Sequence, residues 1–184
     1  MQIKSLVILF SSFFSVSVVG AQTLEAKIEK IRVEVNHISL DSNYKTKTIE
    51  NDEIPAYAEH GTDGGMSVTG YYKKGELVKI VEWVGLSHYV LISEYYLYKR
   101  DIIFVFVQEK DFPYVDSTGS FDYTHFKSGP ESRFYLAKGK LLKSEYHGDP
   151  RILAEDIPQM ISDCKEYKKL LFKLKADKPS RKKK

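Results

Sequence analysis

Apolar residues recur along this chain in two periods, one at each end and another between them. Leu24, Ile28, Ile31, Val35 and Ile38 step by four, three, four and three, with charged residues between them, which predicts an amphipathic helix with one buried stripe. Asp41-Ser42-Asn43 ends it. Tyr44 to Glu50 then alternates with lysines on the exposed side, as an edge strand does. From Ser67 the pattern turns to strands: Ser67 to Tyr72, Glu76 to Val84, His88 to Tyr98 and Ile102 to Glu109. Ser132 to Leu136 and Lys140 to Tyr146 form a further hairpin. Asp149-Pro150 has the cap and first-turn residues of a second helix, which Pro158 kinks or restarts and which carries Met160, Ile161, Cys164, Tyr167 and Leu171 on one stripe. The expected fold class is α+β: an N-terminal helix, an antiparallel meander of about six strands, and a C-terminal helix.

One phrase occurs three times in the meander: aromatics, a lysine-rich tight turn, an apolar run. It reads Tyr71-Tyr72-Lys73-Lys74-Gly75-Glu76-Leu77-Val78, Tyr96-Leu97-Tyr98-Lys99-Arg100-Asp101-Ile102-Ile103, and Phe134-Tyr135-Leu136-Ala137-Lys138-Gly139-Lys140-Leu141. Each predicts strand, turn, strand, with Gly or Asp tolerating the turn. The run from Ile102 to Val107 has no polar alternation, so it predicts a central strand covered on both faces. Residues 110–131 form a long loop with five aromatic side chains, Tyr114 and Phe126 among them.

The termini change the electrostatic picture. Met1 to Ala21 pairs one basic residue, Lys4, with an apolar stretch and a small-residue cleavage pattern, Val19-Gly20-Ala21, which predicts a secretory signal peptide over 1–21. Residues 173–184 hold seven basic residues and one acidic one, a basic disordered tail that can touch an anionic membrane surface weakly. Lys4 contributes +1 and the tail +6 to the chain's net +3, which leaves −4 on residues 22–172, the single folded domain. An exported protein meets little nucleic acid, so none is expected as a partner. The lone Cys164 fits a core position on the second helix.

Candidate chemistry is sparse. Thr62-Asp63-Gly64-Gly65 offers paired glycines beside a hydroxyl and a carboxylate, able to form an anion-binding concavity or, alternatively, a tight turn in which Asp63 bonds its own backbone. His60 with Asp63, or His88 near Glu82, could form an acid–base pair on one rim; no metal-ligand spacing and no nucleophile motif accompanies them. No cofactor is implied. Thirteen tyrosines and ten phenylalanines suggest aromatic recognition of a peptide, glycan or protein, with Trp83, Tyr96, Tyr98, Tyr114 and Phe126 as the candidate contact residues beside Thr62 to Gly65.

Thr62-Asp63-Gly64-Gly65 followed by the Tyr-Tyr-Lys-Lys-Gly-Glu-Leu hairpin, Glu94-Tyr95-Tyr96, and Arg133-Phe134-Tyr135 with Gly139-Lys140-Leu141 resembles a group of small exported bacterial proteins of Bacteroidota type. The resemblance covers about residues 60 to 145 and is looser where Arg100-Asp101 replaces a glycine turn. It implies export and a meander sheet, and lends no catalytic residues. The hairpins also resemble MORN-type repeats, although 26 residues separate Gly75 from Asp101 and 38 separate Asp101 from Gly139, too uneven for a regular array. The expected function is an exported, non-enzymatic binding module. A small hydrolase with a His/Asp rim and a carrier of an apolar ligand inside a curled sheet are the alternatives.

Overall fold

A computed structural model describes residues 23–55 and 61–174. The expected signal peptide, His60 and all of the basic tail beyond Leu174 lie outside them. The fold is α+β: helix α1 (Leu24–Leu40), a seven-stranded antiparallel meander and helix α2 (Ile157–Lys173). The sheet comprises β1 (Lys45–Glu50), β2 (Met66–Lys73), β3 (Glu76–Gly85), β4 (Tyr89–Tyr98), β5 (Asp101–Asp111), β8 (Lys127–Ala137) and β9 (Lys140–His147), in that spatial order. Between β5 and β8 the aromatic loop folds its own two-stranded ribbon, β6 (Tyr114–Val115) and β7 (Ser120–Phe121).

The two helices lie on opposite faces of the sheet. On one face Ile28, Ile31 and Ile38 of α1 pack with Tyr96, Phe104 and Tyr135. On the other, Ile157, Met160, Cys164, Tyr167 and Leu171 of α2 pack with Ile80, Tyr95, Val105, Val107 and Phe134. This is the cover that the unbroken apolar run requires: Val105 and Val107 face α2 while Phe104 and Phe106 face α1. Burying each such side chain stabilises by about 1.5–3 kcal/mol.

The three related hairpins share one geometry. Each turns on two residues at positive φ, Lys74-Gly75 (51° and 84°), Lys99-Arg100 (49° and 72°) and Lys138-Gly139 (50° and 72°), as a two-residue I′ turn needs. Asp101 is therefore not a turn residue; it pairs with Tyr98 as the first residue of β5. Two pairs beyond each turn the register skips one residue, between Leu77 and Lys79, Ile102 and Phe104, and Leu141 and Lys143. The skipped residues, Val78, Ile103 and Leu142, all pack on the α1 side. A bulge re-aims one aliphatic side chain per hairpin, so the repeated phrase supplies α1 with three equivalent footholds.

The second helix starts later than Asp149-Pro150 suggests. Residues 148–153 are held against the sheet instead: the Arg151 N–H donates to Glu109 Oε1 at 2.8 Å, the Arg151 guanidinium pairs with Glu109 Oε2, and Ser132 Oγ donates to the Ile152 carbonyl at 2.7 Å. Glu109 is buried, so this carboxylate requires its partner. A 3₁₀ turn at Ala154–Asp156 then leads into α2, with Pro158 in the first helical turn, where its missing N–H costs nothing.

Candidate binding site

Helix α1 crosses only the hairpin half of its sheet face. Past it, the register aligns two rows across the strands: Thr69, Val81, Glu94, Phe106, Arg133 and Glu145, then Ser67, Trp83, Ile92, Gln108, Glu131 and His147. Helix α1 borders the first row, where Arg32 bonds Glu145, and among the described residues no helix lies over the second. Where they meet α1, a depression of about 340 Å³ is lined by Arg32, Asn36 and Ser39 of the helix and by Tyr96, Phe106, Arg133 and Tyr135 of the sheet. Arg32, Asn36 and Ser39 share one helix face by their spacing of four and three.

Rings form the floor. Tyr96, Phe104 and Tyr135 follow one another across β4, β5 and β8 with centroids 5.6 and 5.0 Å apart. Polar groups above them are held in place by each other. Arg32 donates to the Tyr135 hydroxyl at 3.3 Å and to Glu145 at 3.1 Å, and its guanidinium lies 5.4 Å from the Tyr135 ring centre. Tyr135 donates to Glu145 at 2.9 Å, and Lys143 sits 2.8 Å from the same carboxylate. Lys143 first, helped by Tyr135 and Arg32, keeps Glu145 below the ordinary carboxylate range. Arg133 lies 5.1 Å over Phe106 and bonds Glu131 at 2.6 Å, while Gln108 reaches the other oxygen of Glu131 at 3.1 Å. Tyr96 donates to Glu94 at 2.5 Å and meets Ser39 Oγ at 3.1 Å; burial, then the Glu94 carboxylate, pushes its phenol pKa up. Lys79 is 3.5 Å from Glu94.

The residues singled out in the sequence fall into three places. Trp83 and Tyr96 lie on this face, Trp83 in the open row and Tyr96 buried beside α1. Trp83 folds its indole along the strand over Gly85, where an added Cβ would stand 2.6 Å from the ring. Tyr98 is at a hairpin tip, exposed beneath Lys99. Tyr114 and Phe126 belong to the opposite, loop end, exposed beside the cluster of Phe112, Phe121 and Tyr123.

The segment from Thr62 to Gly65 is bonded into the same loop end. Gly64 N–H donates to Gly85 O at 3.0 Å, Gly65 N–H to Thr62 O at 3.2 Å, and Thr62 Oγ1 to Gly65 O at 2.8 Å. Both amides thus serve backbone pairing, and the two strands approach so closely that a Cβ on Gly64 would meet Gly85 at 2.8 Å. Asp63 accepts from Ser87 Oγ, and the His88 ring packs against Tyr89 at 4.9 Å and Phe121 at 6.1 Å.

Arg32, Arg133, Phe106 and Glu131 do not stand out in the sequence as contact residues. Arg32 reads there as one more polar residue of a helix, and only the fold joins it to Tyr135, 103 residues on. The signal that was available is Phe106, the last aromatic of a strand apolar on both faces. Comparison with protein families, with curated proteins and with solved structures finds no match.

Proposed function

We propose that this chain is an exported, non-enzymatic binding module whose ligand lies flat on the open half of the α1-side face, against Trp83, Phe106 and the depression beneath Arg32 and Arg133. The carrying observation is the pairing of the charges around the depression over an aromatic floor: Arg133 with Glu131, Lys79 with Glu94, Arg32 with Glu145. A strongly charged ligand would have to break one of these pairs. A neutral polyhydroxylated ligand accepts and donates hydrogen bonds without stranding a charge, and its apolar ring faces stack on the aromatics. A glycan is therefore the ligand this face fits. Export is supported by the leader-like composition of Met1 to Ala21 and by the resemblance to exported bacterial proteins.

The test uses Trp83, the single tryptophan of the chain. Titration with neutral oligosaccharides is expected to shift its emission, and Phe106→Ala with Arg133→Ala to weaken that binding roughly tenfold or more, from lost stacking and charge-assisted hydrogen bonds. Saccharide binding that survives both substitutions removes the site. An emission shift given by a protein partner and by no saccharide replaces the glycan with a protein surface on the same face.

A further inference from the structure

The meander brings all three lysine-bearing turns to one end of the sheet, away from the proposed glycan face. Residues 73–76, 98–101 and 137–140 carry six basic and two acidic side chains. The loops at the opposite end, 61–65, 86–88, 112–126 and 148–151, carry four acidic residues and one arginine. The molecule is thus electrically polarised along its strands.

At the basic end, α1 and two turns enclose a second depression of about 280 Å³. Lys27 and Lys30 line it from the helix, Lys99 and Lys138 from the turns, with Tyr98 at its rim and Asp101 as the one acidic residue lining it. Its floor is apolar, built from Ile103 and Leu142. Among the described residues none of these four lysines has a carboxylate within ion-pair distance. Lys99 and Lys138 also stand at positive φ, where lysine is disfavoured. Unpaired ammoniums gathered over an apolar floor suit an anion attached to an apolar body.

Exposed aromatics adjoin the same end. Tyr98 is 46% exposed and Phe172 87%. Phe172 lies one turn after Lys168 on the same face of α2, and Lys168 reaches the carbonyl of Arg100 at 2.8 Å, on the middle turn. Basic groups interleaved with exposed aromatic rings are the composition of a surface that rests in the headgroup layer of a bilayer.

We propose that the hairpin-tip end docks on an anionic membrane surface, with the depression between Lys27, Lys30, Lys99 and Lys138 receiving a lipid phosphate. The open sheet face then stays clear of the bilayer.

Co-sedimentation of the purified chain, its N-terminus mapped by mass spectrometry, with vesicles of phosphatidylcholine alone and of phosphatidylcholine mixed with phosphatidylglycerol tests this. Binding is expected to the charged vesicles only, to fall with added salt, and to weaken roughly fivefold for each of Lys27, Lys30, Lys99 and Lys138 replaced by alanine. Arginine at the same positions is expected to restore it, which separates charge from a folding defect. Equal binding to both vesicle types overturns the proposal. So does unchanged binding of the fourfold alanine variant, which would move the contact to the basic tail. Displacement from vesicles by soluble glycerol phosphate would mean a soluble phosphate ligand instead of a membrane.

Discussion

At the scale of single residues, the group most at odds with its surroundings is Glu82. Its carboxyl points from β3 toward α2 and accepts from Tyr167 at 2.5 Å and Tyr95 at 3.0 Å. Burial raises its pKa above the ordinary 4.5, and the two phenol donors, which favour the charged form, offset this only in part. The same surroundings push the Tyr95 and Tyr167 phenols up, and burial lifts the Cys164 thiol to about 12, so these three stay neutral. A carboxyl whose folded pKa is raised contributes stability that is fully present below the unfolded value and is lost as pH rises through the folded one. Glu82 therefore destabilises the fold as pH climbs from about 4.5 toward neutrality. Glu82→Gln, which keeps an acceptor without the charge, is expected to gain about 1 kcal/mol at neutral pH and nothing at pH 4. Denaturant melts of both proteins across that range check it. Parallel curves would mean that Glu82 titrates normally and the hydrogen bonds outweigh its burial.

At the scale of elements, the hairpins show what a sequence states openly and what it withholds. Aromatic and branched residues around Lys-Gly turns announce the strands, because I′ turns need positive φ that glycine supplies freely. The bulges are silent: Val78, Ile103 and Leu142 look like ordinary alternation until pairing shows each one skipped. The start of α2 was misleading for a similar reason. Asp149-Pro150 is a good local cap, but the contact that overrides it, Arg151 on Glu109, spans 42 residues. The middle turn carries its own consequence. Arg100 holds φ 72° where the other two turns have Gly75 and Gly139, a conformation that costs an L-residue with a Cβ about 1–2 kcal/mol. Its one hydrogen bond across the fold uses the carbonyl, which Lys168 reaches, so a glycine would keep it. Arg100→Gly should raise stability by roughly 1 kcal/mol, about 2–4 °C in melting temperature. A loss on substitution would show that the arginine side chain contributes more than its backbone strain costs.

At the scale of the molecule, a three-layer order was only half legible. The two helical stripes and the two-sided strand require cover on both faces, but they do not say that the covers are unequal. Helix α2 buries Ile157, Met160, Cys164, Tyr167 and Leu171, whereas α1 buries only Ile28, Ile31 and Ile38. Two fewer buried side chains leave α1 attached less firmly by roughly 3–6 kcal/mol, and its release needs no strand to separate. It is therefore the segment expected to open below global unfolding. Hydrogen exchange should find α1 amides less protected than those of β4, β5 and α2. Because Arg32 and Ser39 close the depression over Tyr96 and Tyr135, a ligand seated there must hold the helix down, and α1 protection should rise with its concentration while that of α2 stays constant. If α1 in the free protein already exchanges as slowly as β5, the helix is a fixed wall. Access to the site would then come entirely from the open rows of Trp83 and Phe106.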